Sequence, residues 1–295
     1  PKKLHTFSIG MAGGTDLKYA QEVAEFLGTN HHEILISEAN FLNAIEEVIW
    51  NIESYDTTTI RASVGNYLIC KHLKKYCDAK VIFNGDGSDE LCGGYIYMGF
   101  VPDHQKFNDE CIRLLDEIHM YDVLRSDKSI ASNGLEPRTP FLDADFISTY
   151  LNIDSMIRYE LHKTKCEKYL LRKAFDNGEY LPKNVLWRKK EAFSDGVSSV
   201  ERSWHTIIQE HIKTTYNMTE NQYYIKIFNN KFNTNINNND NHNDNDNDND
   251  NDNNDNGNTQ NNVNYDLDEL NIINNKNNSC ESQFETRQHY SLPIP

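Results

Sequence analysis

The chain has 295 residues, a formal net charge of −16 and a mean hydropathy of −0.73. Seven aspartates and no lysine or arginine lie between Asn237 and Asn262, so the remainder still carries −9, a balance that argues against a nucleic-acid binder living on phosphate contacts. No stretch approaches the roughly 20 apolar residues of a membrane span, and six cysteines at irregular spacings, without a C-x-x-C pair, point to reduced cytoplasmic thiols rather than disulfides or a metal site.

The first half alternates between two periods. His5–Ile9 reads as a short strand closed by Gly10. Asp16 is placed to cap a helix in which Leu17, Ala20, Ala24 and Leu27 recur at helical spacing, and Gly28 to end it. Glu33–Ile36 reads as a second strand, and Ser37 precedes an amphipathic stretch with Phe41, Leu42, Ile45, Val48, Ile49 and Ile52 on one face. A further helix is expected from Ala62 to Tyr76. "KVIF" (Lys80–Phe83) is then a third strand, too short and too apolar to be exposed. This order predicts an α/β fold, a parallel sheet with helices on its faces followed by a mainly helical second half. In such sheets ligands sit beyond the carboxyl ends of the strands, which is where Asn84–Glu90 falls.

From about Asp109 the pattern turns helical. Ile112, Leu115, Ile118 and Met120 suit one helix, and Cys166 to Phe175 another. Between them "GLEPRTPFLD", with prolines at 137 and 140, reads as a folded turn. "YLPKNVLWRKKEAFSDG" (Tyr180–Gly196) reads as a loop at first, and a last amphipathic helix is expected from Val200 to about Thr215. Composition then collapses into an asparagine- and aspartate-rich tract too poor in apolar residues to offset the entropy of ordering it. The expected organisation is a folded α/β domain over 1–231, a disordered insertion over 232–264 and a C-terminal segment over 265–295.

The turn "NGDGSDE" packs three carboxylates and two glycines into seven positions after a strand. One reading is a calcium loop, although the remaining ligands and the closing glutamate are missing at the right distance. A second is a strand-to-helix turn where glycines bring backbone N–H groups to a nucleotide while carboxylates meet its Mg²⁺. The third is structural, a capped helix start. The segment alone favours the structural reading, and three acidic groups at a sheet's carboxyl edge shift the balance toward a metal–phosphate role.

Four segments occur in order: "ESYDTTTIRAS" (Glu53–Ser63), "NGDGSDELCGGYIY" (Asn84–Tyr97), "GLEPRTPFLD" (Gly134–Asp143) and "LWRKKEAFSDG" (Leu186–Gly196). Together they closely resemble the synthetase domain of the glutamine-dependent asparagine synthetases, over about Thr6 to Phe228. The resemblance implies an ATP-dependent carbon–nitrogen ligase of the ATP-pyrophosphatase type. Its substrates would be aspartate, ATP with Mg²⁺, and ammonia released from glutamine in a separate N-terminal domain; a homo-oligomer fits the family. Aspartate's carboxylate attacks the α-phosphate to give β-aspartyl-AMP and pyrophosphate, and ammonia then displaces AMP.

By the same resemblance the backbone of Ile9 matches the position that contacts adenine, while Asn84 and Gly85 match the pair beside the nucleotide, where the family usually has serine first. Asp89 matches the Mg²⁺ carboxylate. Thr58 and Arg61 match residues that hold the α-phosphate region, where a guanidinium would stabilise the crowded transition state. Lys190 matches the lysine that neutralises pyrophosphate, with Lys128 a weaker second. Arg138 and Asp143 read as a structural ion pair. Asp86 stands where the family carries the glutamate that forms the intermediate, one methylene shorter. The family's Ser-Gly-Gly-x-Asp-Ser loop is not present in this sequence, "MAGGTD" (Met11–Asp16) being a superficial echo, so Pro1 is expected to lie inside a longer design. Two alternatives stand beside the synthetase: a non-catalytic family member acting as a binding or regulatory partner, and another ATP-pyrophosphatase ligase.

Overall fold

The computed structural model describes residues 3–191, 196–198 and 202–236. Strand β1 (His5–Gly10) leads into helix α1 (Thr15–Leu27) and strand β2 (Asn30–Leu35), which pairs with β1 in parallel, Ile9 opposite Ile34. Gly28 ends α1 at φ 64, its N–H returned to the carbonyls of Ala24 and Glu25, as an αL cap requires. The start of α1 differs from expectation: Gly14 is the N-cap without a side-chain bond, and Asp16 lies one position inside the helix. Its carboxylate turns to Arg188 instead. β2 begins three residues earlier than its apolar pattern suggested, because the ladder to β1 extends to His5–Asn30.

Helix α2 (Glu38–Ile52) starts on a capping box in which Ser37 and Asn40 satisfy each other's backbone N–H groups. Phe41, Ile45, Val48, Ile49 and Ile52 are each at most 1% exposed, and this stripe packs on α3 (Thr57–Tyr76). α3 begins five residues before the expected Ala62, since the Asp56 side chain caps it through the Thr59 N–H at 2.6 Å. Thr58 and Arg61 are therefore helical.

β3 (Val81–Phe83) pairs in parallel with β4 (Glu136–Arg138), a strand found inside the segment expected to be a turn. Pro137 is tolerated because the inter-strand bonds use its neighbours: the Glu136 N–H donates to Lys80 and the Arg138 carbonyl accepts from Asn84. The expectation that β3 is shielded fails. Val81 is 42% and Phe83 74% exposed, since β4 is the only strand paired with β3 among the described residues. The strands thus form two two-stranded parallel sheets.

The second half is helical as expected, with α4 (Ser88–Cys92), α5 (His104–Glu117), α6 (Asp122–Ala131), α7 (Ala144–Leu151), α8 (Ser155–Thr164), α9 (Tyr169–Ala174) and α10 (Lys183–Leu186). The expected helix around Ile112 covers α5, with Ile118–Met120 tightening into a 3₁₀ turn, and α9 is shorter than Cys166–Phe175. α11 (Trp204–Tyr216) and α12 (Glu220–Phe232) close the main core, where Trp204, Ile208, Ile212 and Tyr224 bury against α2 and α3. Five cysteines among the described residues are free thiols. Among the described residues no helix is long and apolar enough to cross a membrane. Beyond residue 236, the expected insertion and the segment 265–295 lie outside the described residues.

Candidate active site

Glycines shape the turn after β3. Gly87 (φ 86) caps α4 at its start and Gly93 (φ 64) at its end, backbone conformations that disfavour any side chain. A Cβ on Gly87 would lie 2.2 Å from the Leu142 side chain, and one on Gly94 would lie 1.8 Å from the Asp89 carboxylate. Gly94 is therefore what lets Asp89 fold back over the end of α4, and its N–H donates to the Asp89 carbonyl at 2.7 Å.

Asp89 receives two ammonium groups on one oxygen. Lys168 Nζ donates to Oδ1 at 2.9 Å and Lys190 Nζ at 3.0 Å. Burial pushes the Asp89 carboxyl up, but the two lysines outweigh it and hold it below the usual carboxylate range. Lys190 also rests over the Tyr95 ring, 4.4 Å from its centre, and the Tyr95 hydroxyl donates to buried Glu90 at 2.6 Å. A cavity of about 350 Å³ opens here, lined by five basic side chains and three carboxylates. Asp89, Lys168, Arg172 and Lys190 line it, with Asp16 and Arg188 paired at 2.9 Å. In a chain of net charge −16, this local excess of positive charge favours an anion over a cation.

The loop after β1 frames this cavity. The Met11 N–H donates to the Val197 carbonyl at 2.8 Å, and Thr15 Oγ1 donates to Glu191 at 2.6 Å. Gly196 packs so tightly on Asp16 that a Cβ there would fall 2.2 Å from its carboxylate. "MAGGTD" thus meets residues 188 and 191 on one side and residues 196 and 197 on the other.

The remaining predicted residues lie outside the cavity lining. Asn84 donates to Ser126 Oγ at 3.0 Å and accepts from the Asp86 N–H at 3.3 Å; Gly85 is exposed, with open space where a Cβ would go. Asp86 Oδ2 is buried without a hydrogen-bond partner. Burial pushes its carboxyl up, against the pull of Ser126 and Arg125. Thr58 is exposed on the first turn of α3. Arg61, one turn on, is gripped by Glu220 of α12, Nε to Oε1 at 2.8 Å and Nη2 to Oε2 at 2.6 Å. Ile9 is a core residue, 3% exposed, near the end of β1.

Two readings need correction. Lys128 does not reach an anion site: it donates to the Ile52 carbonyl at 2.8 Å and to Glu53 at 2.9 Å, closing the end of α2 by charge. Arg138 and Asp143 are not paired. Arg138 bonds Glu136 in its own strand, while Asp143 caps α7 through the Asp145 and Phe146 N–H groups. Sequence reasoning passed over Lys168, Arg172 and Glu220. Only their neighbours across the fold distinguish these residues from an ordinary helix surface. Arg188 lay within a quoted segment and drew no notice.

The donors around Asp89 bear on whether Mg²⁺ could reside here. Among the described residues no group of three or more His, Cys, Asp or Glu side chains is placed to hold a metal. A lone carboxylate fits an ion that arrives with a triphosphate and keeps phosphate and water ligands, rather than a resident one.

A family model described as asparagine synthase matches residues 1–102 and 99–248. Asparagine synthetase [glutamine-hydrolyzing] of Gallus gallus is 48% identical over 209 residues, 71% of this chain and 37% of that protein. The same-named protein of Homo sapiens is 48% identical over 210 residues, with the same shares. That of Bos taurus is 44% identical over 246 residues, 78% of this chain and 44% of its own length.

Proposed function

Because this chain belongs to the asparagine synthase family, we propose that it supplies the ATP-dependent half-site in which aspartate is activated and then amidated to asparagine. It spans 37–44% of the length of these relatives, so activity, substrates and partners are assigned to it by this reading. The carrying observation is the meeting of Asp89 and Lys190, 101 residues apart in sequence and 3.0 Å apart in space, in a positively charged cavity.

In the first step an oxygen of aspartate's side-chain carboxylate bonds to the α-phosphorus of ATP. The bond from that phosphorus to its bridging oxygen breaks, and pyrophosphate leaves. In the second step ammonia bonds to the activated acyl carbon, AMP leaves with the C–O bonding pair, and the nitrogen gives up a proton. The departing pyrophosphate gathers negative charge, which Lys190 would neutralise. A Mg²⁺ ion delivered with ATP would be met by Asp89 and would offset charge on the phosphates. Asn84 and Gly85 would line the nucleotide, with the Ile9 backbone at the adenine and Thr58 and Arg61 toward the α-phosphate. Asp86 would stand beside the reacting acyl group.

The test is a chimera in which this chain replaces the matching residues of the Gallus gallus relative. With ATP, Mg²⁺, aspartate and ammonium it should release pyrophosphate in proportion to asparagine formed, and Lys190→Ala should lower that release by at least a hundredfold. A folded chimera that turns over nothing, or releases pyrophosphate without aspartate, would overturn the reading.

A further inference from the structure

The cavity holds a second lysine that no sequence motif singles out. We propose that Lys168 is a polyphosphate-binding residue, and that with Lys190 it clamps the diphosphate end of a nucleoside triphosphate or the released pyrophosphate. The assignment rests on the synthetase reading for its natural ligand, but its own basis is geometric.

Two ammonium groups converge on one oxygen of Asp89, at 2.9 and 3.0 Å. One carboxylate neutralises only one of them, so the trio carries a net positive charge while its side chains are only 19–29% exposed. Like charges gathered in a half-buried site raise its energy, and an anion with several oxygens relieves that cost. Lysine suits this task because an ammonium acts on phosphate as a compact point charge.

The backbone is arranged to hold Lys168 there. It adopts φ 55 at the N-cap of α9, a left-handed conformation that a non-glycine residue holds only when its surroundings fix it. Arg172 is what fixes it. Its Nε donates to the Glu167 carbonyl at 3.1 Å, and its Nη1 donates to the carbonyls of Leu186 at 2.6 Å and Arg188 at 3.1 Å. One guanidinium therefore ties the residue before Lys168 to the segment that carries Lys190. The spacing of the two lysines is set by this staple rather than by Asp89 alone.

The test is calorimetric titration of the chain with inorganic pyrophosphate at low salt, without Mg²⁺. The parent should bind, Lys168→Asn should bind at least tenfold more weakly, and Lys168→Arg should stay within about threefold. Asparagine is chosen because it tolerates the left-handed backbone. Lys106→Ala, at an exposed lysine outside the cavity, should bind as the parent does. A second measurement needs no variant: pyrophosphate should protect Lys168 of the parent from amine acylation, read by peptide mass spectrometry. A parent that does not bind pyrophosphate, an Asn variant that binds it unchanged, or an unprotected Lys168 would each overturn the proposal. Competition separates it from the reading it rests on. If ATP fails to displace pyrophosphate while Lys168 remains necessary, the synthetase reading falls and the anion clamp stands.

Discussion

Asp86 and Asp89 sit three residues apart in one turn, yet their surroundings push their carboxyls in opposite directions. Burial raises Asp86 above the ordinary 3.8, so the native state disfavours its charge. Whatever it contributes to stability is present below pH 3.8 and is lost as pH rises through its native value. Asp86→Asn should therefore melt higher than the parent at pH 7, with the difference vanishing in acid. The same residue should be indispensable to turnover. In the chimera, Asp86→Ala should cut aspartate-dependent pyrophosphate release by at least a hundredfold, and Asp86→Glu should match or exceed the parent by restoring reach; a 1 Å misplacement can cost about that factor. Parental release from Asp86→Ala would leave Asp86 as a turn residue. Asp89 is the opposite case. Its native value lies below 3.8, so its contribution is present above that pH and lost as pH falls through the native value. Asp89→Asn should cost about 1 kcal/mol at pH 7, and thermal melts should show that gap closing as pH drops below 3.8.

Short elements here depend on contacts that a helix pattern does not carry. α4 has five residues between two left-handed glycines, too few to stand by hydrogen bonds alone. Gly94→Ala would press a methyl group onto Asp89, and overpacking of this kind costs about 1–3 kcal/mol. A chemical denaturation midpoint equal to the parent's would show that the turn can yield. α12 matters for a different reason. Glu220 is buried, accepts a third bond from the Tyr224 hydroxyl at 2.8 Å, and takes two bonds from Arg61. Removing one partner of a buried pair strands the other, at about 3 kcal/mol. Glu220→Ala should lose roughly that much in urea unfolding, while Glu220→Gln, which can still accept a bond, should lose less. The same carboxylate fixes where the Arg61 guanidinium can point, so the orientation of a residue on α3 is decided by a helix 159 residues later.

At the scale of the molecule, the cavity draws on four places in the chain: α1, α4, α9 with its N-cap, and residues 188–191. The main core reaches only to Phe228 in the described part. Deleting Asn237–Asn262 should accordingly leave the melting temperature within about 2 °C, since loop-closure cost changes by only about 0.6 kcal/mol per doubling of length; a larger loss would show that the tract docks. Much of this design is legible without coordinates. Apolar residues at helical spacing gave α2, and turn chemistry gave the end of α1 at Gly28 and the start of α2 at Ser37, because these depend on neighbours within four residues. The four ordered segments gave the family and brought forward Asp89 and Lys190. Other features follow no local rule. β4 was hidden by Pro137, which is harmless only because the ladder uses the residues on either side. Lys128 and Lys190 look alike in sequence, and only tertiary contacts send one to the end of α2 and the other to Asp89. Lys168 and Glu220 carry no pattern at all. The sequence by itself determined the α/β order of elements and which residue types could do the chemistry, since propensity and spacing are local. The tertiary structure decided which charges meet, because an ion pair depends on a few ångströms of separation between residues 79 to 159 positions apart.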